Sequence, residues 1–441
     1  MDSEAAREKL DSALAEFVEA YSGMKQRDAS WYGTMGTTVG GSELAAIMGV
    51  NPYSSFVDVV LGKVATLRGT STWSGGVACW WGVLFEDVIG EVVSIDLGSP
   101  IRGDSICIQE FPGHRNSPDG YVVATFVRDD DDTWRCWTTD QEPPPEKAAV
   151  HHQVLLLEFK CPLTRQPKGQ VPPQYRPQVW SGLAVSPIAG RGLFVDAVFR
   201  KCGLADLDDG VEYDRAYHAR DPAPEGDRCP VAWGLIAVYA PRLDAPRHVR
   251  LGWRGPEWAP GDPAGEGPDA DASLAALEIH AKYFGARFRR GDGEPPDDVA
   301  DLGDMPAKLF DRALGLIDGG RFRIWRETPC FADGRGKDLR DVGRAVEELR
   351  ARAPAGHWLM GVLPWKLLET NYVFVARRPG FLEEVRGLIE DVHATARAAL
   401  VARDPAAFVR ARAVEKKLAA GHSPSAPRNH PDNVQELFDT V

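Results

Sequence analysis

No run of about 18 or more apolar residues occurs anywhere in the chain, so no membrane-spanning helix is expected. The opening stretch MDSEAAREKLDSALAEF is acidic and helical in pattern, without the basic start and apolar middle of a secretory signal. The seven cysteines include no C-x-x-C pair, which points to reduced thiols in an intracellular, soluble protein. Cys161, Cys202, Cys229 and Cys330 are too scattered for an iron–sulfur cluster and read as buried thiols. The adjacent His151 and His152 have no second His or Cys pair at zinc spacing, so they read as surface histidines. There is no phosphate-cradling GxxxxGK[ST] loop, no internal repeat and no heptad pattern.

Positive charge is also short: 51 Lys and Arg face 64 Asp and Glu, for a net charge of −13. That is unfavourable for a partner with a phosphate backbone, which is usually held by Lys and Arg that displace counterions. The distribution matters more than the sum. Between residues 160 and 201 lie Lys160, Arg165, Lys168, Arg176, Arg191, Arg200 and Lys201 against Asp196 alone. This stretch reads either as a solvated basic face or as a phosphate-facing one.

With 44% apolar and 26% charged residues, the 441-residue chain has the composition of a globular protein with a sizeable core. Leu10, Leu14, Phe17, Val18 and Tyr21 recur at helical spacing. GTMGTTVGGS leads into a short helix, ELAAIMG, that Gly49 is suited to end. Further helices are expected over 56–64 and 80–93, the second with Trp81, Phe85, Val88, Ile89 and Val92 on one stripe. Residues 121–127 and 154–159 are apolar runs of strand length, separated by an acidic, proline-rich excursion that reads as a hairpin loop. After the helical stretch PPQYRPQVWSGLAV, residues 193–199 and 235–240 read as strands. Stretches rich in Gly, Pro and Asp over 254–305 read as linkers or insertions around a helix, SLAALEIHAKYF. A strand within LMGVLPWKLLETNYVFVARR and a helix from Phe381 follow, and the tail from His422 is polar and expected to be loose. This order predicts an α/β layer fold with a mixed sheet flanked by helices.

The chemistry concentrates in SPDGYVV (117–123) and LLLEFKCP (155–162). In a strand, alternate residues share a face, so Glu158 and Lys160 point one way while Leu157 and Phe159 point the other. A carboxylate and an ammonium group ending a greasy strand are costly unless they are paired or ligate something. Antiparallel pairing of 121–127 with 154–159 brings Asp119 close to Glu158. Two neighbouring carboxylates suit a hard divalent cation such as Mg²⁺, and Lys160 beside them is placed to orient a water or to offset charge building on a phosphorus. Taken alone, E-x-K is equally well explained as a buried ion pair. Trp134 and Trp137 are accounted for as well by hairpin packing as by base stacking.

GGSELAAIMGVNPYSS (40–55), WGVLFED (81–87), NSPDGYV (116–122), LEFKCP (157–162) and QYRPQVW (174–180) follow the order seen in the lambda-exonuclease-like, YqaJ-type viral recombinase nucleases of the PD-(D/E)xK superfamily, which the chain resembles. The later segment WKLLETNYVFVARRPGFLEEVRGLIEDV looks like the closing strand and helix of large-DNA-virus members. The resemblance implies a restriction-endonuclease-like core. It implies one nuclease domain over 1–400, with core motifs in 40–200, closing strand and helix in 356–400, an insertion at 200–350, and a C-terminal helix and tail over 401–441. It makes Glu86 a third acidic metal ligand, with the Phe159 backbone carbonyl beside Asp119 and Glu158, and places Gln178 near the lysine and the attacking water. By residue chemistry alone, Glu86 is a solvated helix glutamate and Ser42 a helix N-cap.

Ser42, Gly41, Tyr175, Arg165, Lys168 and Arg176 are the expected contacts to DNA or its phosphates. Pro177 replaces the family's usual small residue, so the helix that carries Gln178 is expected to begin near Tyr175. Relatives carry an arginine a few residues after the tryptophan matching Trp31, where this chain has Met35 or Gly36. Either Arg27 or another basic residue takes that place, or dependence on a 5′ phosphate is reduced. The implied activity is a Mg²⁺-dependent exonuclease, with Mn²⁺ as substitute, digesting duplex DNA ends 5′ to 3′ in viral recombination. Its implied partners are a single-strand-annealing protein and copies of itself, as in the trimers of some relatives. The alternatives are a structure-selective or restriction-like endonuclease on the same core, or a silent DNA-binding scaffold.

Overall fold

The computed structural model describes residues 3–24, 29–70, 76–104, 106–128, 133–144, 148–208, 231–241, 299–318, 322–331, 334–336, 339 and 341–420. In chain order the helices are α1 (Ser3–Ala20), α2 (Ala29–Thr34), α3 (Leu44–Ile47, after a 3₁₀ turn at Gly41–Glu43), α4 (Phe56–Leu67), α5 (Val77–Asp96), α6 (Arg176–Val185), α7 (Ala205–Asp208), α8 (Ala307–Asp318), α9 (Val342–Ala351), α10 (Phe381–Val401) and α11 (Pro405–Ala420). The strands are β1 (Val39–Gly40), β2 (His114–Arg115), β3 (Gly120–Arg128), β4 (Trp134–Cys136), β5 (Val150–Lys160), β6 (Arg191–Lys201), β7 (Ala232–Pro241), β8 (Ala300–Asp301), β9 (Arg323–Arg326), β10 (Cys330–Phe331) and β11 (His357–Ala376).

Nine of the strands form one mixed sheet in the order β10-β7-β11-β6-β5-β3-β4, with β8 added beside β11 and β9 beside β7. β5 and β6 run parallel, as do β8 and β11; the other pairs are antiparallel. β11 spans 20 residues and changes partner along its length, pairing β7 with its first half and β6 with its second. Its register shifts between Leu359 and Gly361 and again between Leu367 and Glu369. Such bulges bend a long strand and let a sheet curl.

Period-two alternation sends side chains to both faces, and both are covered. On one face Leu155, Leu157, Phe159, Leu193 and Val195 pack under α5, whose Trp81, Phe85, Val88, Ile89 and Val92 are buried as the stripe requires. On the other, Tyr121, Val123, Val154, Leu156 and Phe194 meet Leu14 of α1 and Val179 and Leu183 of α6. α4, α10 and α11 build a separate apolar cluster around Val60, Phe381, Val385 and Ile389.

The expected strands over 121–127, 154–159, 193–199 and 235–240 are all present and longer than the apolar runs. One expectation changes: the acidic excursion after β3 is not all loop, because Trp134–Cys136 forms β4 and pairs with Phe126–Arg128. Trp134 packs against the core there. Cys161, Cys202 and Cys330 are buried thiols, while Cys229, the SLAALEIHAKYF helix, most of the Gly/Pro/Asp-rich stretches and the tail from His422 lie outside the described residues.

Candidate active site

β3 and β5 pair antiparallel in a register that aligns Gly120 with Leu157. The ladder therefore ends where Asp119 stands, one residue before β3, and β5 runs on for three residues without a β3 partner. Asp119 fills that gap: its own N–H donates to Leu157 O (3.3 Å), and its Oδ2 accepts the N–H of Phe159 (2.5 Å). A strand residue projects its N–H and C=O toward the same edge. The Phe159 carbonyl therefore points to the Asp119 side as well.

Glu158 and Lys160 share the opposite-facing positions of β5, and Lys160 Nζ donates to Glu158 Oε1. Glu158 is 2% exposed. Burial pushes its carboxyl above the ordinary carboxylate range, the Lys160 charge opposes this, and the charge of Glu86 adds to it. Burial alone would lower the Lys160 ammonium. The charges of Glu158 and then Asp119 outweigh burial and hold it above its usual value, so it stays charged.

These groups sense one another from three elements: Glu86 from α5, Asp119 from the turn into β3, and Glu158 with Lys160 from β5. Three carboxylates against one ammonium leave an excess of negative charge. Hard oxygen donors carrying such an excess fit a divalent cation. The fit is one of chemistry rather than of a finished cage. Among the described residues no three His, Cys, Asp or Glu side chains are gathered closely enough to hold an ion. Of the expected set, Glu158 is engaged by the Lys160 ammonium and Asp119 by a backbone amide, while Glu86 acts on Glu158 through its charge.

Tyr175 lies over this face of the sheet, stacked on Phe194 with ring centroids 5.7 Å apart. Lys160 Nζ stands 5.1 Å from the Tyr175 ring centre. Tyr175 is the N-cap of α6, and Pro177 falls in the first helical turn, where its missing N–H costs nothing. The helix thus starts where Pro177 required, and Gln178 is half-buried on its first turn.

Ser42 is exposed in the 3₁₀ turn, whereas Gly41 beside it is buried. The turn is built from Glu43, whose Oε2 accepts from Gly40 N (2.7 Å) while Lys63 Nζ donates to both carboxylate oxygens at 2.7 and 2.6 Å. Ser42 is therefore not the cap: Gly40 holds that position and Glu43 supplies the capping oxygen.

Several residues absent from the sequence expectations surround these. Arg115, on β2, stacks on Trp31 at 4.3 Å and donates through Nη1 to Trp31 O (3.2 Å) and Thr34 Oγ1 (3.1 Å). Arg27, the basic residue considered for this corner, lies outside the described residues. His114 bridges Val39 O (2.6 Å) and Ser181 Oγ (2.7 Å), and Asn116 Nδ2 donates to the same Ser181 Oγ (2.9 Å). This chain ties the segment before Asp119 to α6. Ser117 Oγ, two residues before Asp119, is buried with no hydrogen-bond partner. An orphaned hydroxyl beside an acidic centre is a donor that a ligand oxygen would satisfy. The only sequence signal for Ser117 was its place in S-P-D.

The basic stretch of 160–201 is not the exposed face its composition suggested. Lys160 binds Glu158, and Arg165 forks onto Asp196, with Nη1–Oδ2 at 2.6 Å and a second bond from Nη2 to Oδ1. Arg191 and Arg200 are buried, and Lys201 donates to Gly303 O and Met305 O. Arg176 is half-buried and donates to Val171 O (3.2 Å); Lys168 is exposed. Strand alternation explains this: β6 is covered on both faces, so Arg191 and Arg200 are carried inward with it. Arg165, one of the expected phosphate contacts, is here the partner of Asp196.

Proteins of African swine fever virus, from the Vero-adapted Badajoz strain and from a Malawi tick isolate, are 35% and 34% identical to the chain over 219 residues, 48% of its length. The chain spans 60% of the length of those relatives. Among solved structures, an alkaline exonuclease from Laribacter hongkongensis aligns at 19% identity over 39% of this chain and 74% of that one, with a TM-score of 0.26. The same enzyme in complex with dAMP aligns at 18% identity over 38% and 73%, also with a TM-score of 0.26. Residues 30–189, which hold Ser42, Glu86, Asp119, Glu158, Lys160 and Gln178, match the family model of the YqaJ-like viral recombinase domain.

Proposed function

We propose that this protein is a divalent-metal-dependent nuclease that hydrolyses phosphodiester bonds at the ends of duplex DNA, in the service of viral DNA recombination. The observation that carries the reading is the meeting of Asp119 and Glu158 at adjoining strand ends around Lys160, with the charge of Glu86 reaching the same carboxylate.

Asp119, Glu158, Glu86 and the Phe159 carbonyl are the groups that would hold Mg²⁺, or Mn²⁺ in its place. When bound, such an ion supplies a water of lowered pKa and stabilises charge on the phosphoryl oxygens. The protein's own share is positional. Phe159 N–H fixes one oxygen of Asp119 and so orients the carboxylate. Lys160, held charged, offsets negative charge that builds on the phosphate. Ser42 and the orphaned hydroxyl of Ser117 are donors for phosphate oxygens, and Arg115 beside Trp31 provides the basic group that the sequence lacks after that tryptophan. Gln178, on the first turn of α6, orients the attacking water.

Purified protein incubated with Mg²⁺ and linear duplex labelled at either the 5′ or the 3′ end tests the reading. Mononucleotides released first from the 5′ end are expected, with closed circles left intact. Asp119→Ala should reduce the rate by at least about a hundredfold. Undiminished digestion by that variant would refute the site, and cleavage of closed circles would make the protein an endonuclease on the same core.

A further inference from the structure

On the sheet face that carries the candidate centre, two cations and two carboxylates stand together: Lys160 and Arg165, Glu158 and Asp196. Asp196 is 2% exposed and sits on β6 directly across the parallel ladder from Lys160. Neighbouring strands lie about 4.8 Å apart, whereas two residues along one strand span about 6.6 Å. By backbone position, Asp196 is therefore the nearer carboxylate to Lys160. The ammonium nevertheless bonds Glu158, its strand neighbour two positions back. Both oxygens of Asp196 are taken instead by the fork of Arg165. Tyr175 lies under both cations, 5.1 Å from Lys160 Nζ and 5.8 Å from Arg165 Cζ, and is itself seated on Phe194.

We propose that Arg165 is a positioning residue: by occupying both oxygens of Asp196 it denies that carboxylate to Lys160 and so assigns the ammonium to Glu158. A planar guanidinium matches a carboxylate with two parallel bonds, while an ammonium is a point charge that goes to whichever carboxylate is open. Arg165 therefore wins Asp196 on geometry, and Lys160 is left where the acidic centre needs it. The idea rests on the nuclease reading only in taking the Lys160–Glu158 arrangement to be the active one.

Three variants test it: Arg165→Leu, Asp196→Asn and the two combined. Arg165→Leu opens Asp196, Lys160 swings across the ladder, and kcat falls by about a hundredfold, the scale expected for an ångström of misplacement, with KM little changed. Adding Asp196→Asn removes the competing charge, so the double variant recovers kcat to the level of Asp196→Asn alone. Crystal structures of the variants give a readout independent of turnover: Lys160 Nζ on Asp196 in the single variant and back on Glu158 in the double. Should Arg165→Leu fail to fold around an uncompensated buried carboxylate, Arg165→Lys takes its place, keeping the charge but losing the fork and lowering kcat in the same direction.

A double variant that stays inactive with a raised KM would mean that Arg165 grips DNA, and the proposal falls. It falls equally if Lys160 remains on Glu158 in the single variant. If the unaltered protein digests no DNA, the nuclease reading fails by itself, and the crystallographic position of Lys160 still decides this one.

Discussion

His114 shows how much one side chain carries here. A backbone carbonyl can only accept, so Nδ1 must hold the proton it gives to Val39 O, and Nε2 then accepts from Ser181. Burial drives its pKa from 6.5 down to about 4. The ring therefore stays neutral in the folded protein at pH values where it is already protonated in the unfolded chain. The unfolded state binds the extra proton, so stability falls with acidification from the unfolded value of 6.5 toward the folded value near 4. Between pH 7 and 5 this amounts to about 2 kcal/mol, at 1.36 kcal/mol per pH unit below 6.5. His114→Gln, whose amide can make both hydrogen bonds without titrating, should flatten this loss. Urea midpoints of the two proteins at pH 7 and pH 5 read it directly, and equal pH slopes would show that His114 does not govern the window.

Between elements, the close approach is made by glycine. A Cβ on Gly41 would lie 2.3 Å from Asn116 Nδ2 and 3.2 Å from its Cγ, driving the amide off Ser181 and loosening the join between the 3₁₀ turn, the segment before Asp119 and α6. A Cβ on Gly40 meets nothing nearer than 3.4 Å, and its φ of −76° suits any residue. Gly41→Ala should therefore cost about 1–3 kcal/mol, the usual penalty of overpacking, and Gly40→Ala little. Thermal unfolding of both separates them, and equal losses would show that space is not the cause. This contrast could not be seen in the sequence, where the two glycines are adjacent and alike.

What could be seen follows the same division. Alternation and apolar runs located β3 and β5 and the shared face of Glu158 and Lys160, because those depend on neighbours within a strand. The antiparallel pairing that brings Asp119 to Phe159 followed from two such runs joined by one excursion. The pairing of Arg165 with Asp196 joins residues 31 apart, and Arg115 meets Trp31 across 84, so neither partnership was legible in the sequence. Pattern gives the face on which a charge sits; only the packed sheet gives the partner it finds.

Across the whole molecule, electrostatics bears on how the proposed DNA substrate would be held. The net charge of −13 repels a polyanion at long range, and the cations of 160–201 are largely spent on internal partners. What the 160–201 stretch and the Trp31 corner leave for phosphates near the acidic centre is small: Lys168 at the surface, the half-buried Arg176, which donates to Val171 O, and the buried Arg115, which donates to Trp31 O. Each phosphate neutralised on duplex DNA contributes about −0.9 to the slope of log K against log salt. About three contacts give a slope near −3, shallow for a protein that processes DNA. On the proposed reading, affinity would then come more from hydrogen bonds to a strand end and from an ion in the acidic centre than from a basic track. Anisotropy titrations of a labelled duplex with Asp119→Ala in Ca²⁺, over a series of KCl concentrations, measure that slope. A value twice as steep would bring basic residues away from the acidic centre into the interface, and the acidic centre would then be a cutting site that binds little by itself.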